Sequence, residues 1–79
     1  MRLTMINAEI RGCEQKTNKK GEDYLVVRVE DETGKAEELC DKDLSRKDFY
    51  KRGTQGDLVL DVQVGKFTTI RIIDFKIAQ

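Results

Sequence analysis

Hydrophobic and polar residues alternate most regularly in the last third of the chain. Leucine or valine occupies every second position from 58 to 64, with Asp61 and Gln63 among the residues between them. A period of two predicts a strand with one buried face. A second run, rich in β-branched and aromatic residues, begins soon after Gly65. We therefore predict that the two runs pair as an antiparallel hairpin.

Two loop lengths fit this hairpin. A two-residue turn that begins at Gly65 sets Leu60 opposite Arg71. A three-residue loop sets Leu60 opposite Ile72 instead, and we favour it because register follows the pattern of burial. It leaves Phe67 at the tip of the hairpin.

The start of the chain predicts a strand over residues 2–12 with one irregularity. The hydrophobic parity switches between Met5 and Ile6. A β-bulge produces such a switch, since it adds one residue and bends the strand. A bent first strand is what a small closed barrel needs in order to contribute to two sheets.

Two further strands are predicted after a polar segment. Residues 14–21 are polar throughout and are predicted to form a loop. The next strand covers 24–30, followed by a turn at 31–35 and a third strand at 36–40. The inward-facing residues of the second strand are Leu25, Val27 and Val29.

Residues 43–53 have a helical pattern instead. Ser45 can cap the helix, cations gather near its end, and Gly53 ends it. Leu44 and Phe49 are expected to face the barrel. The helix is short, so packing rather than intrinsic propensity must hold it.

This order of elements predicts a mainly β fold. Three strands, a short helix between strands 3 and 4, and two more strands are the OB-fold arrangement, a five-stranded barrel. The chain has 79 residues, which is enough for one core, so we expect a single domain over 1–79.

Composition argues against an enzyme. The chain has no histidine, and its two cysteines, Cys13 and Cys40, form no CxxC pair. Zinc sites of the usual Cys/His kind and histidine acid–base chemistry are therefore excluded. No nucleotide-binding or nucleophile motif is present, so we expect no cofactor. No apolar run of membrane-spanning length and no leader is found, and we expect a cytoplasmic protein. In that compartment we favour two free thiols over the alternative, a Cys13–Cys40 disulfide.

The formal net charge is zero, but the charges are unevenly distributed. Residues 1–29 carry six basic and four acidic side chains, and residues 44–79 carry seven basic and four acidic ones. Residues 30–43 carry two basic and seven acidic side chains, which we expect to form an exposed, solubilising edge. A basic partner surface forms if this acidic segment is turned away from it.

Single-stranded nucleic acid binding needs cations for phosphates and aromatic rings for stacking bases. Tyr24 lies opposite the inward set of its strand and directly follows a lysine-bearing segment. The candidate contact residues are Lys16, Lys19, Lys20, Tyr24, Arg28, Lys66, Phe67 and Arg71. The sequence predicts sequence-independent binding to single-stranded DNA, with RNA left open as an alternative ligand.

Two short motifs resemble the single-stranded DNA-binding (helix-destabilising, gene V) proteins of filamentous phages. They are Lys20-Gly21-Glu22-Asp23-Tyr24 and the hairpin tip Val64-Gly65-Lys66-Phe67. The resemblance covers about half of the chain, and the segment 34–53 departs from it.

The resemblance implies an OB-type barrel, a homodimer and cooperative DNA binding during phage or plasmid replication in a bacterial host. By position, Lys19 would contact phosphate and Tyr24 would stack on a base. Phe67 would match the loop aromatic residue that reaches DNA from the dimer axis.

A second class of function stays open, a protein–protein adaptor OB domain. It would use the acidic segment 30–43 as its contact surface and bind no nucleic acid.

The last strand is the residue-based reason to expect a dimer. Simple alternation puts Ile70 and Ile72 on one side and Ile73, Phe75 and Ile77 on the other. Because a barrel has one interior, we expect one of these sets to lie against a partner.

Overall fold

A computed structural model describes residues 1–78 of the chain. The elements are β1 (Arg2–Thr17), β2 (Asp23–Glu30), β3 (Ala36–Asp41), a 3₁₀ helix (Leu44–Phe49), β4 (Gln55–Gln63) and β5 (Thr69–Ile77). The strands close into a barrel in the order β1-β2-β3-β5-β4. The predicted five-stranded barrel with a short helix between strands 3 and 4 is confirmed. No helix in residues 1–78 is long and apolar enough to cross a membrane.

Strand β1 is bent and serves two neighbours. Its first half pairs with β4 and its second half with β2. The register with β4 shifts between Met5 and Ala8, where Asn7 adopts a φ of 56°. The predicted bulge is thus confirmed.

Strand β1 is longer than predicted. It continues to Thr17 and sets Lys16 opposite Tyr24, so the prediction of a loop from residue 14 is wrong. Both faces of this stretch are exposed, and a water-facing ladder needs no apolar alternation. The polar sequence therefore gave no strand signal.

The β4–β5 hairpin has the favoured register, with Leu60 opposite Ile72. The register then shifts between Val59 and Leu60, because β5 carries one extra residue at that point. Phe75, opposite Leu58, consequently points inward, and only 6% of it is exposed. The prediction that Phe75 lies on the face opposite Ile72 is wrong, because the bulge returns the strand to its inward face.

The core is formed by the inward residues of all five strands and one residue after the helix. The inward set predicted for β2 is confirmed, since all three side chains are fully buried. The cluster contains Ala8, Ile10, Leu25, Val27, Val29, Leu39, Tyr50, Leu58, Leu60, Ile72 and Phe75.

The 3₁₀ helix differs from its prediction in which residues it buries. Leu44 and Phe49 are 38% and 46% exposed, so neither is a core residue. Tyr50, which follows the helix, is 3% exposed, and its ring stacks on Phe75 at 5.5 Å between centroids. A 3₁₀ helix has three residues per turn, so the face expected from a 3.6-residue period is not the face that packs.

The helix cap also differs from its prediction. Asp43, not Ser45, is the capping residue, and its carboxylate accepts a hydrogen bond of 3.0 Å from the Ser45 backbone N–H. The Ser45 hydroxyl donates to the same oxygen, which lowers the pKa of Asp43.

Candidate nucleic-acid interface

Strand alternation places one row of side chains on the outer surface of the barrel. Tyr24, Val26 and Arg28 alternate with the buried residues of β2. Across the neighbouring strand, Val26 lies opposite Cys40 of β3, and Cys40 in turn lies opposite Arg71 of β5. This row therefore connects Tyr24 and Arg71, two predicted contact residues, on a single face.

Two adjoining depressions follow this row. The residues that line the first are Asn18, Glu22, Asp23, Tyr24, Cys40 and Lys42. The residues that line the second are Cys40, Lys42, Asp61, Gln63, Thr69, Ile70 and Arg71. Because they share Cys40 and Lys42, they form one continuous surface, here named the cross-barrel groove. Tyr24 is half-buried there, so part of its side chain remains accessible.

A compact turn over residues 18–22, here named the basic turn, lies beside Tyr24. The Asn18 side-chain oxygen accepts hydrogen bonds from the backbone N–H groups of Lys20 at 2.9 Å and Glu22 at 3.0 Å. Lys19 and Lys20 are exposed on this turn. Lys16 lies on β1 directly opposite Tyr24. Three of the predicted cations thus lie near one end of the groove, which Asn18, Glu22 and Asp23 line directly.

Lys66 and Phe67 lie at the other end, on the tip of the β4–β5 hairpin. The strands leading to the tip end at Gln63 and begin at Thr69, and both residues line the groove. Phe67 is 79% exposed. The tip is therefore connected to the groove through its two strand ends.

Arg71 lies within the groove and is half-buried. Its Nη2 donates a hydrogen bond of 3.4 Å to Asp61 Oδ2. The pair keeps the guanidinium on the outer face while part of its charge is balanced.

Arg28 has different surroundings from the other predicted cations. Its guanidinium lies across Gly12, where an added Cβ would come within 2.9 Å of Nη2. Nη2 is also 3.8 Å from Glu14 Oε1, and Glu38 lies opposite Arg28 on β3. Arg28 therefore lies in an acid-balanced part of the outer face, next to the groove rather than in it.

Sequence reasoning missed Cys40 and Lys42. The outward parity of Cys40 was the available signal, because β3 alternates Leu39 inward, Cys40 outward and Asp41 inward. The thiols of Cys13 and Cys40 are free. Burial raises the pKa of the Cys40 thiol, while the charges of Lys42 and Arg71 act in the opposite direction.

The prediction of an exposed acidic edge is wrong at Asp41. It is fully buried and accepts hydrogen bonds from the Tyr50 hydroxyl at 2.5 Å and from Arg46 Nε at 2.7 Å. Burial and the neighbouring carboxylate raise the pKa of Tyr50, and the hydrogen bond to Asp41 raises that of Arg46. This buried network fixes the end of β3 against the 3₁₀ helix.

The closed five-stranded barrel with its helix between β3 and β4 defines the chain as an OB-fold. It is similar to the crystal structure of Rim1, a mitochondrial single-stranded DNA-binding protein from S. cerevisiae. The TM-score is 0.67 at 12% sequence identity, over 98% of this chain and 94% of Rim1. At this identity the likeness establishes the fold. No family model and no curated protein sequence matches this chain.

Proposed function

We propose that this protein binds single-stranded DNA in the cross-barrel groove, without sequence preference. The observation that carries the proposal is a half-buried tyrosine, Tyr24, in a groove that also contains Lys42 and Arg71 and is flanked by the basic turn. Aromatic stacking tolerates every base and is worth about 1–3 kcal/mol per base. The OB-fold offers this face and the adjoining loops for oligonucleotides.

Charge segregation supports the proposal in spite of the zero net charge. Strand β2 joins the basic turn at its beginning to a second turn, residues 31–35, at its end. This second turn, here named the acidic turn, adjoins Glu9 and Glu30 in one acidic depression. The two turns lie at opposite ends of the barrel, so a phosphate chain at the basic turn is far from these carboxylates.

The test is fluorescence anisotropy of labelled oligo-dT across a salt series. We expect affinity to fall steeply with salt, because bound lysines release phosphate counterions. Tyr24→Ala should weaken binding by about 1–3 kcal/mol, whereas Tyr24→Phe, which keeps the ring, should not. Affinity that does not change with salt, or an equal loss in both variants, would contradict the proposal. Oligo-U in parallel separates DNA from RNA as the preferred ligand.

We further propose a homodimer. Leu3, Val64, Phe67 and Ile70 are exposed apolar residues on β1 and the β4–β5 hairpin, with exposures between 41% and 79%. Several exposed apolar residues on neighbouring strands of a small barrel support an interaction surface. The test is light scattering of the wild type and Phe67→Ala, combined with oligo-dT titration. A monomer in both, with unchanged affinity, would contradict the dimer.

The biological setting we propose is replication of a phage or plasmid genome in the bacterial cytoplasm. The two short motifs shared with filamentous-phage proteins support it. The test is to delete this protein's coding region and to measure replication of the phage or plasmid in the bacterial host. Unchanged replication would contradict this setting.

A further inference from the structure

We propose that Lys42 is the central phosphate contact of the cross-barrel groove, so that a single strand passes from Tyr24 over Cys40 to Arg71. The inference rests on the proposed function and goes beyond it, because it assigns a residue and a path.

The position of Lys42 is the first argument. Lys42 is exposed, immediately follows β3, and lines both depressions of the groove. It also lines a third depression with Arg46 and Ile73. A chain that crosses from Tyr24 to Arg71 through the two depressions therefore passes Lys42, which lines both.

The availability of its charge is the second argument. Within residues 1–78, no carboxylate lies within ion-pairing distance of Lys42, whereas its neighbours are paired. Arg71 lies 3.4 Å from Asp61 and Arg46 lies 2.7 Å from Asp41. An unpaired ammonium meets a phosphate without first losing a protein partner, so its contact contributes more to binding.

The backbone around Lys42 is fixed, which is the third argument. Asp41, on one side, is held in the buried network with Tyr50. Asp43, on the other side, donates its backbone N–H to Asp41 Oδ1 at 2.9 Å and caps the 3₁₀ helix. Lys42 is therefore presented from a rigid position, which reduces the entropy lost when it binds a phosphate.

The groove floor below Lys42 favours passage of a single DNA strand. Cys40 is small, uncharged and half-buried, and it lies between Val26 and Arg71 in the outer row. No carboxylate interrupts the row between these residues. A DNA strand that crosses here contacts an apolar floor with a cation on either side.

The alternative path along β2 toward Arg28 is less favourable. The depression beside Arg28 is also lined by Glu30, Glu37 and Glu38, and Glu14 lies 3.8 Å from the guanidinium. A phosphate placed there would face four carboxylates beside Arg11 and Arg28. The cross-barrel groove is lined by three carboxylates, Glu22, Asp23 and Asp61, and Asp61 is paired with Arg71. We therefore expect Lys42 to contribute more to binding than Arg28.

The first experiment compares Lys42→Gln with Lys35→Gln by oligo-dT anisotropy between low and high salt. Lys35 is an exposed lysine of the acidic turn that pairs with Glu37 at 3.5 Å, and it serves as the control. We expect Lys42→Gln to bind about 5- to 10-fold more weakly at 0.1 M salt, with a slope reduced by about 0.7 to 1. Lys35→Gln should match the wild type, and Arg28→Gln should lose less than Lys42→Gln. Circular dichroism should show an unchanged fold in all three.

Two results would overturn the inference. If the wild type binds and Tyr24→Ala weakens it, but Lys42→Gln matches Lys35→Gln, the path is wrong while the proposed function stands. If the wild type binds no oligo-dT at tens of micromolar protein, the proposed function fails and the path fails with it.

The two free thiols provide an independent test of the path. Cys40 faces the groove, whereas Cys13 packs against the core. In Cys13→Ser, oligo-dT should slow maleimide labelling of Cys40. In Cys40→Ser, labelling of Cys13 should not respond to oligo-dT. Labelling of Cys40 that is equally fast with and without bound oligo-dT would overturn the path.

Discussion

The basic turn and the acidic turn at the two ends of β2 have the same backbone and opposite charge. In each, the side chain of the first residue, Asn18 or Asp31, accepts hydrogen bonds from the N–H groups two and four residues later, at 2.9 to 3.0 Å. In each, the fourth residue is a glycine with φ of 83° or 86°, and its N–H donates at 3.0 Å to the carbonyl of the first residue. The geometry of these turns is therefore separate from their chemistry.

The difference lies in the side chains that the shared backbone presents. The basic turn carries two lysines and one glutamate, and the acidic turn carries one aspartate, one glutamate and one lysine. A nucleic-acid partner would distinguish the two ends by charge alone. The comparison teaches that a barrel of zero net charge can still offer a polyanion one favourable end.

Exchange of the two turn sequences gives the largest expected effect. The variant places Asp-Glu-Thr-Gly-Lys at 18–22 and Asn-Lys-Lys-Gly-Glu at 31–35, so composition and net charge do not change. We expect the fold to persist, because both sequences satisfy the same hydrogen bonds. Binding of oligo-dT should weaken by on the order of 25-fold at 0.1 M salt, since Lys19 and Lys20 are replaced and the net charge of the turn at the groove end changes from +1 to −1.

Circular dichroism and oligo-dT anisotropy measure the two halves of this prediction. A folded variant with wild-type affinity would show that the basic turn takes no part in binding. An unfolded variant would show that the two turns are not equivalent.

The difference between buried and water-facing strands explains which parts of the fold the sequence could predict. The buried faces of β2 and β4 carry a clear period of two, so the chain order of the strands, the hairpin register and most inward residues were predicted correctly. Val64 is the exception, because β4 ends at Gln63 and Val64 is 76% exposed. A strand that is exposed on both faces has no such period, and the extension of β1 through Lys16 was missed for this reason. The outward position of Lys42 depends on where β3 ends, and no local pattern indicates it.

Burial that depends on residues distant in the chain could not be predicted from the sequence either. Tyr50 is buried because its hydroxyl reaches Asp41 and its ring reaches Phe75. The inward position of Phe75 depends in turn on a bulge in β5 that follows no local sequence signal. Periodicity assigns faces within one regular element, and it fails where an extra residue or a remote hydrogen bond decides.

Replacement of the turn glycines gives the next largest effect. Gly21→Ala and Gly34→Ala each place a side chain at positive φ, which costs about 1–2 kcal/mol, although nothing lies within 4 Å of the added Cβ in either turn. We expect equal losses of unfolding free energy in urea. A difference between them greater than about 0.5 kcal/mol would contradict the equivalence of the turns.

The smallest expected effect concerns pH, where the two turns should differ. Hydrogen bonds from the side chain of Thr33 and from backbone N–H groups hold the pKa of Asp31 below its usual range, whereas Asn18 does not titrate. A lowered folded-state pKa stabilises the fold above the unfolded value, about 3.9, and this contribution is lost as pH falls through the folded pKa. Asp31→Asn makes the acidic turn resemble the basic one and should remove this dependence. We expect wild type to exceed Asp31→Asn in urea midpoint at pH 5, with the difference shrinking toward pH 2. Other carboxylates titrate in both proteins and cancel in the comparison, so a difference that is the same at both pH values would show that the charge of Asp31 does not stabilise its turn.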